Sequence, residues 1–518
     1  MVPLVASRAV PMSRDDLPGV PDPELLDPRR PGARGAYERF ADSIDREALD
    51  WLFDRAMQRP IQPEGYVESR TRFFGPSGAP SPAPHRGASA AEVLRIFRER
   101  VAPMTFNAQH PGAFSYFTPP PLAMSVGGEV LAQWLQQGVD VWHAGPVGAF
   151  VEEEVTRWLR DLVGLPDGWA VLTSGGVMAN LMALTVARER HLGALLDRPP
   201  RGAALDGVRV YASDQTHFSV ARGLDVLGFP EGSLHVVPSD DRYRLQTEAV
   251  ADAIAADRAA RLIPFAISAV AGSTNTGSVD DVVGLAALAR REQVWMHVDA
   301  AYGGAARLSA RDAARVPGLD LADSVTIDPH KWFFQAYDIG ALVVRRREDL
   351  HTTFHRSPEY YASSTPEDAP LNWYEYSIEG TRRFRALKLW MSWQHLGTEG
   401  LGGLIEHNVD LAAYLASVVD AADDFDLACA PELSVVCFRH LPIRSDEWPV
   451  DRLNVYENAL QRALEVDGTA WVSVTTLRGN TYLRAGIVNY LATRSEVDAL
   501  VAALRRLSEG VLEDLDRG

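Results

Sequence analysis

Short apolar runs alternate with longer amphipathic stretches between residues 126 and 345. The runs have the length of strands, and the stretches between them have the spacing of amphipathic helices. This alternation predicts a wound, mainly parallel sheet with helices on both faces, which is an α/β fold. The predicted strands are AVLT (170–173), VRVYAS (208–213), LHVVP (234–238), PFAISAVAG (264–272), QVWMHVDA (293–300), DSVTID (323–328) and GALVVR (340–345).

The first part of the chain has helical patterns separated by long breakers. One helical pattern covers residues 36–58, and a second short helix is predicted to begin after Ser89. Between them, residues 59–66 and 74–89 are rich in proline and glycine. Helices separated in this way cannot easily form a core of their own. Residues 1–125 are therefore predicted to be an N-terminal helical arm that packs on something else, with a second subunit as the favoured candidate.

After residue 398 the pattern changes to a mixture of helices and strands. One helix comes first, another is predicted over residues 450–466, and a third closes the chain. The sequence thus predicts a large domain over residues 126–398 and a smaller α+β domain over residues 399–518. The strand candidates of the small domain are LSVVCFRHL (433–441), WVSVTTLRG (471–479) and TYLRAGIVN (481–489).

The chain has 518 residues, and 69 acidic against 51 basic side chains give it a net charge of −18. An acidic surface argues against a nucleic-acid-binding protein, which normally carries a basic face. Two cysteines, Cys429 and Cys437, exclude a disulfide framework, and no Cys/His spacing typical of metal ligands surrounds them, so no metal is expected. No run has the length of a signal-peptide core or a membrane span, which predicts a cytoplasmic protein without a membrane partner.

Glycine or polar residues follow directly after four of the predicted strands. Ligands of wound parallel sheets bind at the carboxyl ends of the strands, so these positions are the candidates for chemistry. Gly175 and Gly176 lie between the first strand and a helix. Glycine at this turn lets the backbone approach a ligand closely, and the N-terminus of the helix offers free N–H groups to a phosphate. An ordinary glycine-containing turn fits this piece of sequence equally well.

Two familiar nucleotide-binding loops do not fit the sequence. No G-x-G-x-x-G motif follows a strand. The segment GSTNTGS (272–278) has the glycine spacing of a Walker loop, but Ser278 stands where the lysine is required. A nucleotide site in that loop is therefore disfavoured.

Three other strand ends carry reactive side chains. His217 follows the second strand, Asp299 ends the fifth, and Lys331 follows the sixth. A lone histidine is more often structural, and a lone lysine usually lies along apolar surface with its ammonium in water. A carboxylate at a buried strand end is costly unless a cation meets it. A phosphate cradle, such a carboxylate, a flat histidine and an amine on one sheet together predict a site for pyridoxal 5′-phosphate (PLP).

Four segments, HVDAAYGG, DSVTIDPHKW, TSGGVMANL and RRFRALKLW, resemble those of the group II PLP-dependent amino acid decarboxylases, and especially the aromatic-L-amino-acid decarboxylases. The resemblance extends over about residues 105–495. It implies the type I PLP-dependent aminotransferase-like fold, PLP as the cofactor, and an obligate homodimer with the active site at the interface. The implied reaction converts an L-amino acid, with aromatic ones favoured, to the amine and carbon dioxide.

The resemblance assigns the cofactor site residue by residue. Lys331 matches the lysine that binds PLP as a Schiff base, and Asp299 matches the acid on the pyridine nitrogen. Ala301 and His217 match the residues on the two faces of the ring. The other implied cofactor-binding positions are Gly175, Gly176 and Val177 in the phosphate turn, Thr274 beside the cofactor, and Asp328 and His330 near the phosphate and the substrate.

Two further segments are matched to catalysis and to the substrate. HPGAFSYFTPP (110–120) matches a wall that holds the substrate. FHRSPEYYASS (354–364) matches a mobile catalytic loop, in which Tyr360 would protonate the α carbon after carbon dioxide leaves. Tyr361 is the rival because the match could slip by one residue. The implied catalytic residues are Lys331, His217, Tyr360 and Asp299, and the implied substrate-binding residues are Tyr116, Phe117, Thr118 and His217.

Departures from the family pattern leave the substrate open. Val177 stands where many relatives have serine, and residues 138–146, with Asp140, lack the aromatic character expected of a close aromatic decarboxylase. A non-aromatic amino acid is therefore an alternative substrate. The PHKW motif and Tyr360 disfavour a transaminase, and tyrosine rather than phenylalanine at position 360 disfavours an oxidative aldehyde synthase. The intact set of site residues disfavours a non-catalytic PLP-binding protein.

Overall fold

The structure is a computed structural model that describes residues 21–26, 28–29, 32–55, 58–356 and 370–517. The described residues form two compact units. The first extends to His110 and includes Glu465–Thr469, and the second comprises Pro111–Leu464 and the chain from Ala470 onward.

The first unit contains three helices and little buried surface. Ser89 caps the third helix, as predicted, because its hydroxyl accepts a hydrogen bond from the backbone N–H of Glu92 at 3.3 Å. Among the described residues of these helices, only Ala33 and Ala36 are buried. These helices therefore bury few of their side chains. The helices are α1 (Ala33–Asp50), α2 (Tyr66–Phe74) and α3 (Ala90–Ile96), and π-helical turns follow α1 (Trp51–Arg55) and α3 (Phe97–Val101).

A seven-stranded sheet lies at the centre of the second unit. Its order is β1-β7-β6-β5-β4-β2-β3, and all pairs are parallel except the two that involve β7. All seven predicted strands are confirmed, and so is the mainly parallel α/β fold. The strands are β1 (Trp169–Thr173), β2 (Val208–Ser213), β3 (Leu234–Val237), β4 (Ile263–Val270), β5 (Trp295–Asp299), β6 (Ser324–Ile327) and β7 (Gly340–Val344).

Helices cover both faces of this sheet, so its central strands are buried at almost every position. Residues of β1 and β5 to β7 are buried at every position, which explains why their sequences are continuous apolar runs rather than alternating ones. The helices that connect or cover the strands are α4 (Ala123–Leu135), α5 (Pro146–Val163), α6 (Gly176–Val186), α7 (Gly193–Leu196), α8 (Ser219–Val226), α9 (Thr247–Ala259), α10 (Val282–Glu292) and α11 (Arg347–Phe354).

A second, antiparallel sheet has the order β10-β11-β9-β8 and its own apolar core. Strand β8 was not predicted from the sequence, because three residues are too few to show the hydrophobic pattern of a strand. A long helix, α12, is interrupted at Gly397, where φ is +63°. No described helix is both long and apolar enough to cross a bilayer. The elements are α12 (Ala386–Asp420), β8 (Phe425–Leu427), β9 (Val435–His440), α13 (Val450–Asp467), β10 (Ser473–Leu477), β11 (Asn480–Gly486) and α14 (Arg494–Arg517).

A buried ion pair holds the end of β1 in place. Glu152 of α5 accepts a hydrogen bond from Arg382 at 2.5 Å and another from the backbone N–H of Leu172 at 3.2 Å. Arg382 also donates to the carbonyl of Leu172 at 2.7 Å and to that of Val139 at 3.0 Å. Both charged side chains are almost completely buried. The pair therefore fixes the backbone one residue before Thr173, where β1 ends.

Candidate active site

A cavity of about 360 Å³ opens at the carboxyl ends of the central strands. All ten cofactor-binding residues predicted from the sequence line it, so the structure brings together residues that are up to 156 positions apart in the chain, from 175 to 331. The lining residues are Ser174, Gly175, Gly176, Val177, Met178, Asn180, His217, Phe218, Val270, Gly272, Thr274, Asp299, Ala301, Tyr302, Asp328, His330 and Lys331.

The turn between β1 and α6 has room for glycine only. A Cβ atom on Gly175, whose φ is +152°, would lie 3.1 Å from Cε1 of His330. A Cβ atom on Gly176 would lie 2.7 Å from Oδ2 of Asp328. The helix then starts at Gly176 without a side-chain cap. Its first-turn N–H groups therefore face the cavity region as donors for an anion.

Lys331 is held at the cavity by a buried aromatic anchor. Trp332, Phe333 and Phe334, which follow it, are almost completely buried, and the indole N–H of Trp332 donates to Oδ1 of Asn408 at 2.9 Å. The side chain of Lys331 is 23% exposed, with Nζ 3.2 Å from Oδ2 of Asp328. The apolar residues thus fix the backbone, while the amine projects into the cavity.

The lysine content of the chain singles out Lys331. The whole sequence contains two lysines, Lys331 and Lys388. Lys388 is completely buried and its ammonium donates to Glu129 at 2.9 Å. Lys331 is therefore the one lysine whose amine faces the cavity. The lysine count is visible in the sequence and is by itself a signal for Lys331.

Asp299 ends β5 and is buried beside the cavity with both carboxylate oxygens engaged. Oδ2 accepts from the side-chain amide of Asn180 at 2.7 Å, and Oδ1 accepts from the backbone N–H of Ala301 at 3.1 Å. Sequence reasoning missed Asn180, although an amide in the otherwise mostly apolar helix α6 was a usable signal. The same amide nitrogen donates to Ser219 at 2.8 Å.

His217 is connected to this network through Ser219. Its Nδ1 lies 2.8 Å from the Ser219 hydroxyl. Burial lowers the pKa of His217, although the nearby carboxylate of Asp299 opposes the shift. The lowered pKa favours the uncharged ring, which can lie flat against another ring. Behind it, burial lowers the pKa of His297 to about 4, and its Nε2 meets Oδ1 of Asn180 at 3.1 Å.

Asp328 and His330 lie between the turn and the lysine. Oδ1 of Asp328 is buried and has no hydrogen-bond partner within the described part of the chain. Burial lowers the pKa of His330, and its Nδ1 accepts from the backbone N–H of Ile339 at 3.3 Å. A Cβ atom on Gly340 would come within 2.7 Å of Oδ1 of Asp328. The start of β7 thus closes tightly over this carboxylate.

Of the four residues predicted for the substrate, His217 lines the cavity, whereas Tyr116, Phe117 and Thr118 do not. Phe117 is nearest, because its ring centroid lies 6.0 Å from Nζ of Lys331 and its ring stacks on Tyr302 at 4.1 Å. Thr118 contacts the hydroxyl of Tyr337 at 3.0 Å. Tyr116 is 58% exposed, and its ring packs against Trp471. Tyr360 and Tyr361 lie outside the described residues.

Arg484 of β11 is a buried cation beside the site that sequence reasoning missed. Its Nε donates to the carbonyls of Thr274 and Asn275 at 2.7 and 3.1 Å. Its guanidinium lies 4.7 Å from the ring centroid of Phe117. Arg484 therefore contacts two residues assigned to the site, Phe117 and Thr274, that are 157 positions apart in the chain. A single arginine in an apolar strand gave no sign of which residues it would contact.

Known proteins similar to this chain identify its family. Residues 76–441 match the conserved domain of pyridoxal-dependent decarboxylases. The chain belongs to the pyridoxal-dependent decarboxylase family. This decarboxylase is 34% identical over 430 residues to an aromatic-L-amino-acid decarboxylase of Bacillus atrophaeus, a match that covers 83% of this chain and 87% of the relative.

Two other similar proteins extend the comparison. The decarboxylase is 29% identical over 446 residues to an L-2,4-diaminobutyrate decarboxylase of Acinetobacter baumannii, with 83% of this chain and 86% of the relative covered. The crystal structure of mouse CSAD superposes with a TM-score of 0.83 at 25% identity, covering 91% of this chain and 98% of that one. The family and the type I fold predicted from the sequence motifs are confirmed.

The decarboxylase uses PLP and acts on an amino acid. The cavity residues fit this cofactor. The turn at Gly175 and Gly176 leaves space that a Cβ would fill, next to an uncapped helix N-terminus suited to a phosphate. Asp299 supplies a buried carboxylate, and Lys331 supplies an amine at the same cavity.

Proposed function

We propose that this decarboxylase converts an aromatic L-amino acid to its amine and carbon dioxide. The observation that carries the substrate preference is an aromatic stack beside Lys331. Phe117 stacks on Tyr302 at 4.1 Å, and Tyr302 stacks on Trp332 at 4.9 Å. Tyr302 also lines the cavity, so this stack gives the cavity wall an aromatic, apolar character that suits an aromatic side chain. The relative from Bacillus atrophaeus supports the same preference, and the diaminobutyrate decarboxylase supports the non-aromatic alternative.

We propose that Lys331 binds the cofactor covalently and that Asp299 holds a proton on the pyridine nitrogen. The chemistry that PLP supplies when bound is an electron sink for the pair left on the substrate α carbon when carbon dioxide leaves. A carboxylate next to the ring nitrogen favours the protonated, cationic ring. Asn180 and the backbone N–H of Ala301 orient that carboxylate.

The remaining site residues are assigned to holding the cofactor and the substrate. The neutral ring of His217 and the small side chain of Ala301 are proposed to lie on the two ring faces. Gly175, Gly176 and Val177 are proposed to hold the phosphate through their backbone. The other proposed positions are Thr274, Asp328 and His330 for the cofactor, and Tyr116, Phe117, Thr118 and His217 for the substrate.

Tyr360 is proposed as the group that protonates the α carbon, with Tyr361 as the rival. A tyrosine hydroxyl can donate a proton to a developing carbanion as a general acid. The family resemblance associates phenylalanine at this position with aldehyde synthases. Tyrosine therefore favours amine as the product.

The function is tested by a product screen of the PLP-loaded protein. The panel contains the twenty standard amino acids with ornithine, dihydroxyphenylalanine and 2,4-diaminobutyrate, and carbon dioxide, amine and aldehyde are all quantified in air. We expect equal amounts of amine and carbon dioxide, with an aromatic amino acid turned over fastest. Turnover of 2,4-diaminobutyrate alone would move the substrate to the non-aromatic class. Aldehyde in place of amine would contradict the proton-donor assignment.

The homodimer is proposed from an exposed apolar face on α4 and α5. Helix α4 packs closely on α12 through Gly128, where a Cβ would lie 2.6 Å from Cα of Lys388. Outside this contact, α4 carries large apolar side chains that are 44–59% exposed, as do the first turns of α5. A second copy of this chain is the proposed occupant. The residues of this face are Val126, Val130, Leu131, Trp134, Leu135, Val147 and Phe150.

Val130→Glu is expected to weaken the dimer. A symmetric interface would bury two unpaired carboxylates, so the dissociation constant should rise by at least about tenfold. Sedimentation equilibrium of the PLP-loaded protein measures this. Val455→Glu is the matched control, because Val455 has nearly the same exposure on another helix, 55% against 51%. A wild-type monomer, or equal dimerisation of both variants, would refute the proposed interface.

The cytoplasmic location and the domain boundaries at residues 125/126 and 398/399 stay predictions.

A further inference from the structure

Two imidazoles and a carboxylate form a cluster outside the cavity. His351 and His355 are one helical turn apart at the end of α11, and the backbone N–H of His355 donates to the carbonyl of His351 at 2.8 Å. Glu375 belongs to the 3₁₀ turn Trp373–Tyr376. A ring nitrogen from each histidine and a carboxylate oxygen of Glu375 all lie within 4.8 Å of one another.

The separations in this cluster match a metal site better than a hydrogen-bonded ion pair. Oε2 of Glu375 is 3.3 Å from Nε2 of His351 and 3.6 Å from Nδ1 of His355. A charge-assisted N–H···O bond measures about 2.7–2.9 Å. Two ligands that bind zinc at about 2.0–2.1 Å with tetrahedral angles lie about 3.4 Å apart. One carboxylate oxygen therefore stands at the right distance from both nitrogens to share a cation with them.

Glu375 is oriented through its other oxygen. Oε1 accepts from the side-chain amide of Asn372 at 3.2 Å, and Oδ1 of Asn372 accepts from the backbone N–H of Trp142 at 3.1 Å. Outer partners of this kind fix the direction of metal ligands and add to affinity. Here they turn Oε2 toward the two imidazoles.

The cluster lies at the protein surface, with Nδ1 of His355 on its buried side. The side chains of His351, His355 and Glu375 are 40%, 37% and 19% exposed. A cation can therefore enter without rearrangement of the core and keep water at a remaining coordination position. Two imidazole nitrogens with one carboxylate oxygen form a donor set that suits Zn²⁺ and related divalent transition metals.

We propose that His351, His355 and Glu375 form a binding site for a divalent transition-metal cation of the zinc type, with water as the fourth ligand. The bound metal ties the end of α11 to the 3₁₀ turn that contains Glu375. This site is separate from the PLP cavity, because none of its three ligands lines that cavity.

The test uses PLP-loaded protein that has been treated with a chelator and then dialysed. Co²⁺ is the probe, because tetrahedral Co²⁺ absorbs visibly through d–d transitions that octahedral aqueous Co²⁺ shows only weakly. We expect a single Co²⁺ per chain with absorption of tetrahedral intensity, displaced by Zn²⁺. His351→Ala and Glu375→Gln should each weaken Co²⁺ binding by at least about tenfold, and Asn372→Ala by about tenfold.

His395→Ala is the control, since His395 is an exposed histidine of α12 outside the cluster. It should bind Co²⁺ as the wild type does. The nearly isosteric Glu375→Gln variant keeps the test valid if an alanine variant folds poorly, and near-ultraviolet circular dichroism checks folding. Absence of tetrahedral absorption, or equal Co²⁺ affinity in the wild type, His351→Ala and Glu375→Gln, would overturn the site. Neither result depends on which amino acid the enzyme decarboxylates.

Discussion

Lys331→Ala is expected to reduce the rate of carbon dioxide release by at least about 100-fold, because it removes the amine proposed to bind the cofactor covalently. The reason is that Lys331 is the one lysine whose amine reaches the cavity, and the chain has no nearby replacement. Lys388, the second lysine of the sequence, is fully buried against Glu129. The measurement is single-turnover carbon dioxide release at saturating PLP, which separates loss of catalysis from weakened cofactor binding.

Borohydride reduction gives an independent reading of the same assignment. Trypsin cannot cleave after a modified lysine, so the cofactor should appear on the undivided peptide Val316–Arg345, whereas unreduced protein should be cut after Lys331. Lys388→Met is the matched control and should keep the label on that peptide. A label on Lys388, or full activity of Lys331→Ala, would show that the cofactor lysine has been assigned wrongly.

Arg382→Met is expected to lower the free energy of unfolding by about 3–5 kcal/mol, because it leaves Glu152 as an uncompensated buried charge. Two carbonyls, those of Leu172 and Val139, would lose their donor at the same time. Since Leu172 lies next to the end of β1, PLP affinity should fall as well. Chemical denaturation at fixed protein concentration, with PLP titration in parallel, measures both effects.

The control for this prediction is an ion pair of similar length at the surface. Arg444 and Glu447 meet at 2.6 Å but are largely exposed, so Arg444→Met should change stability far less. Burial already raises the pKa of Glu152, with Arg382 opposing the shift, and loss of the arginine should raise it further. The destabilisation should therefore be largest at neutral pH and shrink as acid protonates Glu152. Equal effects of the two methionine variants would contradict the role of the buried pair.

Much of the fold and the site could be predicted because their signals are local. The strands of a parallel sheet are buried on both faces, so each appears as an apolar run. The rule that ligands bind at the carboxyl ends of such strands then selected His217, Asp299 and Lys331 without knowledge of any contact. All three line one cavity in the structure. Their chemical roles rest on the family motifs and stay predictions.

The rest depends on contacts that periodicity does not encode. The antiparallel direction of β7 follows from the connection through Lys331, which contains no crossover helix, yet apolar runs carry no direction. Asn180 matters because it donates a hydrogen bond to Asp299, which is 119 residues away in the chain. Arg484 likewise donates to the carbonyl of Thr274, 210 residues away. Such partners are visible only after the sheet has brought them together.

The scarcity of lysine also determines how the molecule responds to alkali. All basic side chains other than Lys331 and Lys388 are arginines, and guanidinium groups stay protonated far above the range in which lysine loses its charge. Proteins with ordinary lysine content become steadily more negative as that range is crossed. Here the arginine charges persist over this range. Electrophoretic mobility between about pH 9 and pH 11 should therefore change mainly through tyrosine ionisation.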